Sequence, residues 1–236
     1  IYVKGGTFKA GAIRSDLGDG IYGVLNCKDS KGSVITVSGG KFYEYGAAEA
    51  AKVGKGEVIL LEGGYYWSAK DAEGYYRVTD KIETEEALKS AIVAGVTNIT
   101  LAANITLEKA ITIPTDITAI IDLNGYDVTA PNTDAFEVAG TLTINGTDES
   151  VVSAGTANPN ASVCAVWANG GNVTINGGYV YAESLGGCAI GAGNSVNTTA
   201  GSANIVITGG TVIANSKGQE NYTFADGKKI NINAGL

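Results

Sequence analysis

Apolar and polar residues alternate in short bursts along this chain, and each burst ends in the same step. In "NVTINGGYVYAES" (172–184) Val173 and Ile175 precede a Gly-Gly pair; in "NIVITGGTVIANS" (204–216) Ile205 and Ile207 do; in "SVITVSGGKFYEY" (33–45) Ile35 and Val37 do. "IYVKGGTFKA" (1–10) is a shorter copy and "TLTINGTDESVVSA" (141–154) a worn one. Alternation predicts a strand with one buried face. The glycine pair supplies positive φ at no steric cost, so strand, corner and second strand follow one another. Measured at the second glycine, the phrases fall at Gly146, Gly178 and Gly210, which are evenly spaced, and at Gly6 and Gly40, which stand nearly the same distance apart. Recurrence on this scale predicts units that bury their apolar faces only against neighbouring units. The strands are short and no crossover helix separates the copies, so each unit reads as one coil of a parallel β-solenoid. A β-sandwich offers no reason for the same words to return.

A second register agrees with the first. "CAVW" (164–167) and "CAIG" (188–191) align with each other, and "YGVL" (22–25) fits the same slot. Cys164 and Cys188 are then expected to stack in adjacent coils, about 4.8 Å apart at the backbone. That distance permits a disulfide, although two reduced cysteines filling a stack of small core residues is the favoured reading.

Residues 80–131 follow another pattern. Thr84 is a helix cap, Glu85 and Glu86 suit the first turn, Ala87, Leu88, Ala91 and Ile92 form one apolar face, and Gly95 closes the element. A helix over about 84–94 is expected. Alternating β segments follow at once: "NITLAANITLEKAITIPTDITAIIDLNGYDVTA". The combination "EALKSAIVAGVTNITLAANI … IDLNGYDVTA" resembles the opening of pectin-lyase-like right-handed parallel β-helix domains of bacterial cell-surface proteins. "GVLNCKDSKGSVITVSGGKFYEYGAAEAA" resembles their closing coils, and "EGGYYWSAKDAEGYYRV" their terminal hairpin. The resemblance implies an all-β, right-handed parallel β-helix with a short plugging helix and an aromatic hairpin at about 58–79. Such folds serve many functions, so it implies little about activity.

The order of these parts is unusual. The ending, residues 1–80, precedes the helix-capped opening and central coils, residues 81–236. A plug helix covers the first coil, and "KININAGL" is reached with no capping element after it, leaving a strand edge over an apolar core. The expected cover is residues 1–80 of another copy, as a head-to-tail subunit or as the next repeat of a longer tandem chain. Counted through such a junction, the step from Gly210 to Gly6 equals the step from Gly178 to Gly210. The equality holds only if "ININAG" (230–235) is not itself a coil phrase.

Composition narrows the chemistry. With 34 glycines, 3 prolines and 44% apolar residues, a turn-rich β chain with a core is expected. A net charge of −8 without a basic run argues against nucleic acid and anionic membranes. No apolar stretch approaches the roughly 20 residues that cross a bilayer. A start at Ile1 with no methionine anywhere suggests a piece of a longer precursor. The absence of histidine removes the commonest general base and metal ligand. Three cysteines, Cys27, Cys164 and Cys188, lack zinc spacing. Seven sequons, at Asn98, Asn104, Asn145, Asn160, Asn172, Asn197 and Asn221, read as turn and strand residues.

Polysaccharide lyases and hydrolases on this fold need clustered acids, or a basic residue beside calcium-binding carboxylates. Here Asp116, Asp122, Asp127, Asp134, Asp148 and Glu149 are scattered. Asp122 is the best single candidate and reads better as a turn residue. Asp16, Asp19 and Asp29 lack the spacing of a calcium loop. The chain is therefore expected to be an extracellular structural protein, in a surface fibre or adhesin stalk, without catalytic residue, metal or cofactor. The alternative is a glycan-binding or polysaccharide-degrading domain. Its candidate contacts are Tyr65, Tyr66, Trp67, Tyr75 and Tyr76, which read otherwise as paired aromatics of the hairpin.

Overall fold

The computed structural model describes residues 1–9, 24–25, 34–51, 58–156, 163–184, 188–192, 203–216 and 230–232. The chain is mostly β with largely parallel pairing, and it divides into two compact units, Ile1–Asp80 and Lys81–Leu236.

In the first unit β1 (Tyr2–Val3), β3 (Val34–Val37) and β5 (Val58–Leu61) form a parallel sheet. β2 (Thr7–Phe8) and β4 (Gly40–Tyr43) start a second, parallel to each other. A one-turn helix, α1, spans Ala47–Ala50. β7 (Tyr75–Thr79) then pairs antiparallel to β4, and β6 (Tyr66–Trp67) antiparallel to β7. The hairpin is thus β6–β7. Residues 58–61, expected within it, instead extend the parallel sheet, with Val58, Ile59, Leu60 and Leu61 opposite Val34, Ile35, Thr36 and Val37 of β3. The core is Ile35, Val37, Phe42, Tyr45 and Val78 with Leu25, and the Phe8 ring stacks on Phe42 at 4.9 Å.

The second unit begins with α2 (Glu85–Val93). Thr84 caps it, its hydroxyl accepting the Ala87 N–H at 3.1 Å, and Leu88, Ala91 and Ile92 are buried. The chain then visits three sheets in rotation. The circuits are β8 (Asn98–Thr100), β9 (Ile105–Thr106), β10 (Ile111–Ile113); β11 (Thr118–Asp122), β12 (Val128–Ala130), β13 (Phe136–Val138); β14 (Thr141–Asn145), β15 (Val151–Gly155), β16 (Cys164–Ala168); β17 (Asn172–Ile175), β18 (Tyr179–Ser184), β19 (Cys188–Ala192). β20 (Asn204–Ile207), β21 (Thr211–Ser216) and β22 (Ile230–Ile232) complete the described strands. Every pairing in these sheets is parallel, with orders β8-β11-β14-β17-β20-β22, β9-β12-β15-β18-β21 and β10-β13-β16-β19. The alternation in the sequence becomes a two-faced strand: Val173, Ile175, Val180 and Ala182 have no solvent exposure, while Asn172, Thr174, Tyr179 and Tyr181 face outward.

The even interval read from glycines is corrected by the register. One ladder of isoleucines runs through the first sheet: Ile99, Ile121, Ile144, Ile175, Ile207 and Ile232 are successive partners. The steps between them are unequal, short up to Ile144 and long from there to Ile207. Hydrogen bonds between adjacent circuits span the same range: the Asp127 N–H reaches Asn104 across 23 residues, and Thr208 reaches Asn176 across 32. A circuit closes with the smaller number, and the longer ones hold extra loop. "ININ" is a further copy of the phrase, paired with β20, so the glycine count carried across a junction does not describe the last circuit.

Candidate functional site

The aromatic candidates are mostly spent on packing. Tyr66 is fully buried, which removes it as a ligand contact. Trp67 sits edge-on between Phe42 (5.1 Å) and Tyr45 (6.1 Å), and Tyr65 packs on the same core. Tyr75 meets Tyr43 edge-to-face at 5.2 Å, with the Lys41 ammonium 5.0 Å from the Tyr75 ring centre. Tyr76 lies so close over Gly46 that a Cβ there would meet its ring at 2.6 Å. Aromatic pairs of this kind hold a hairpin to a sheet. Two cation–π contacts, Lys41 on Tyr75 and Lys9 on Tyr43 at 4.3 Å, were not legible, because the lysines and tyrosines meet only through strand register.

The carboxylates serve the backbone. Asp122 closes its own turn by accepting the Asn124 N–H at 2.9 Å. Asp127 accepts the N–H of Val151, and Asp134 that of Cys164 at 2.6 Å, each tying one circuit to the next. Burial pushes the Asp134 carboxyl above the usual aspartate range; the Cys164 N–H opposes this and the nearby Glu137 charge adds to it. Glu85 has the most demanding environment. Its buried carboxylate faces Lys89 and accepts the N–H groups of Glu108 (2.7 Å) and Lys109 (3.2 Å). Burial alone would raise its pKa, but the Glu108 N–H, the Lys89 ammonium and the Lys109 N–H outweigh burial and lower it. The sequence marked Glu85 only as a first-turn acid. Among the described residues no group of three or more His, Cys, Asp or Glu side chains could hold a metal ion. Asp16, Asp19, Asp29 and Cys27 lie outside the described residues.

Cys164 and Cys188 are register partners in β16 and β19. Cys164 is disulfide-bonded, which corrects the expectation of a reduced pair. A β ladder brings Cα atoms within disulfide range, so stacking that looked like simple core filling also permits the bond.

The corners and the sheet edges carry the remaining information. The two glycines of each pair do different jobs. The second takes positive φ: 110° at Gly6, 124° at Gly40, 90° at Gly178 and 84° at Gly210. The first admits the copy beside it: a Cβ would lie 2.6 Å from the Lys4 carbonyl O at Gly39 and 2.6 Å from the Asn176 carbonyl O at Gly209. Side chains reinforce the stack, with Asn176 donating to Asn145 (2.9 Å) and Thr208 to Asn176 (2.6 Å). At Gly5 a Cβ meets nothing within 4 Å, and Gly5 does not have positive φ. Its strands β1 and β2 each lie at one end of their sheet, opposite the ends formed by β5 and β6, with Ile1 and Tyr2 71% and 78% exposed. In the second unit, β22, β21 and β19 are the outer strands among the described residues at the end away from β8, β9 and β10. α2 packs against β10 at that first end, and Glu85 ties it to the loop before β10.

No family model, curated protein or solved structure matches the chain. No helix among the described residues is long and apolar enough to cross a membrane.

Proposed function

We propose that this chain is an extracellular structural protein, built from coils of a right-handed parallel β-helix, that serves as a subunit or repeat of a head-to-tail surface fibre or adhesin stalk without catalytic turnover. The resemblance to pectin-lyase-like domains rests on the phrases quoted above, and the rotation of the chain through three parallel sheets is the pattern such a helix requires. The observation that supports the assembly reading is the polarity of the outer strands among the described residues. At one end of the first unit's sheets the outer strands, β1 and β2, are the earliest in sequence; at one end of the second unit's sheets, among the described strands, β19, β21 and β22 are the latest. A parallel ladder that continues in one direction joins a latest edge to an earliest edge, never like to like. Such a contact is heterologous, so it propagates instead of closing as a two-fold dimer. Both partners gain by pairing open backbone groups and covering apolar residues. The disulfide at Cys164 suits an oxidising location.

Gly5 provides a clean test. Gly5→Val adds bulk where the described structure has space, so the folded subunit should keep its melting temperature. It should nevertheless fail to polymerise, because the same slot in Gly39 and Gly209 is filled by a neighbouring carbonyl. Sedimentation and electron microscopy of both proteins read the outcome. Fibres from Gly5→Val indistinguishable from those of the unaltered chain, or a strictly monomeric unaltered chain at high concentration, would reject the proposal.

A further inference from the structure

We infer that the outer face of the sheet formed by β2, β4 and β7 docks the acidic turn at Asp148 and Glu149 of a second copy, so that fibres associate side by side. The inference goes beyond head-to-tail assembly and rests on it only for the repetition that lets a weak contact add up.

The cationic half is built by strand register. Phe42 is buried in the core of the first unit, so Lys41 and Tyr43 on either side of it face outward. β7 places Arg77 opposite Lys41 and Tyr75 opposite Tyr43, while Lys9 follows Phe8, the partner of Phe42 in β2. Three positive side chains from neighbouring strands therefore share one face with two tyrosines. Their contacts differ. Lys70, at the rim, and Arg77 meet carboxylates of their own unit, Glu44 at 3.2 Å and Asp71 at 3.6 Å. Lys9 and Lys41 meet ring faces instead, Tyr43 at 4.3 Å and Tyr75 at 5.0 Å. A ring face attracts an ammonium but carries no net charge, so both sites stay positive. It also holds the long side chain in place. Part of the entropy that a flexible lysine loses on forming an ion pair is thus already lost before a partner arrives.

The acidic half is an insertion in the repeated phrase. After Gly178 and Gly210 the next strand begins at once, whereas Thr147, Asp148 and Glu149 stand between Gly146 and Ser150. The Ser150 N–H donates to the Thr147 carbonyl at 3.0 Å, and the two hydroxyls lie 3.3 Å apart, which closes a turn. Ser150 is fully buried at its base, and Asp148 and Glu149 are exposed at its tip. Other carboxylates of the second unit serve that unit: Asp122, Asp127 and Asp134 accept backbone N–H groups, and Glu137 accepts the Asn169 amide. Two adjacent negative charges on a closed turn therefore match two positive charges held on a sheet face. With a net charge of −8, copies repel one another unless such a basic face meets an acidic one, and complementarity of this kind fixes which surfaces pair. A single exposed contact contributes little. Along a fibre it recurs at every copy, and the contacts act together.

Charge exchange in the full-length chain tests the pairing. One protein carries Lys9→Glu and Lys41→Glu; another carries Asp148→Lys and Glu149→Lys. Electron microscopy and sedimentation separate bundles from single fibres. The unaltered chain should bundle at low salt and separate into single fibres toward about 1 M salt, where screening leaves only contacts of a few ångströms. Each variant alone should elongate but stay as single fibres. An equimolar mixture should bundle again, because each altered surface finds its complement on the other protein. Glutamine at positions 9 and 41 removes the charge without reversing it and should also give single fibres, so the outcome does not depend on the reversed variants folding. Bundles from either reversed variant alone, a mixture that stays as single fibres, or single fibres of the unaltered chain at low salt would overturn the inference and leave head-to-tail assembly standing. Failure of the unaltered chain to form any fibre would overturn the reading beneath it, and the inference with it.

Discussion

The carboxylate of Glu85 accepts the backbone N–H of Glu108 at 2.7 Å, across 23 residues of chain. One helical side chain thereby serves the loop that enters β10, while Lys89 on the next turn balances its charge. Glu85→Gln keeps the shape but removes the charge, and one amide N–H₂ then faces a backbone donor. A loss of about 1.5–3 kcal/mol is expected, the range for hydrogen bonds to a charged group. Thermal melts at pH 7 check it.

The same residue gives a pH dependence of known sign. Its folded pKa is lowered, so its contribution is complete above the unfolded glutamate value of about 4.3 and fades as pH falls through the lower folded value. The melting difference between the unaltered protein and Glu85→Gln should therefore narrow below about pH 4. A constant difference from pH 7 to pH 3 would contradict the role assigned to the charge.

The glycine pairs offer a matched comparison. At Gly209 an added Cβ lies 2.6 Å from the Asn176 carbonyl O, whereas at Gly63 it meets nothing within 4 Å. Gly209→Ala should cost about 1–3 kcal/mol through overpacking against backbone that cannot yield. Gly63→Ala should fall within about 0.5 kcal/mol of the unaltered protein, as surface changes do. Equal melting temperatures for the two variants would remove the close-approach explanation.

Disulfide formation at Cys164 is expected to stabilise the second unit. Cys164→Ser, or treatment with reductant, should lower stability by about 2–4 kcal/mol. Peptide mapping without reduction should link the Cys164 peptide to that of its register partner Cys188. A Cys164 peptide recovered without a disulfide-linked partner would contradict the bond.

Trp67 tests the standing of the aromatic hairpin. Half-buried against Phe42 and Tyr45, it should behave as a packing residue, and Trp67→Ala should cost about 1–3 kcal/mol in the first unit. Glycan binding lost in that variant would then report unfolding, so a binding claim needs Trp67→Phe as its control. A Trp67→Ala protein that melts unchanged yet loses glycan would return the residue to the list of ligand contacts.

Much of this organisation was legible because it is local. Period-two alternation depends only on successive side chains pointing to opposite faces, so Val173 and Ile175 declared their burial without knowledge of any partner. Thr84 and the apolar positions Leu88, Ala91 and Ile92 announced α2 for the same reason. The parallel, stacked character followed from repetition of the phrase. What failed was metric. Gly146 served as a marker in the count, yet it lacks the positive φ of Gly178 and Gly210, and Thr147, Asp148 and Glu149 separate it from the stacking position of Ser150 beside Gly178.

Taken by itself, then, the sequence determined which residues face inward, where corners fall and that one phrase stacks on another, since each of these depends on a few consecutive residues. Tertiary structure alone decided the register between circuits, the oxidation of Cys164, the reach of Glu85 to Glu108 and the burial of Tyr66. The physical reason is that extra loop residues cost little, about 0.6 kcal/mol for each doubling of loop length. Short circuits, such as the one from Asn104 to Asp127, and long ones, such as that from Asn176 to Thr208, can therefore share one lattice. Which residues meet is settled by the backbone hydrogen bonds between them, not by their distance along the chain.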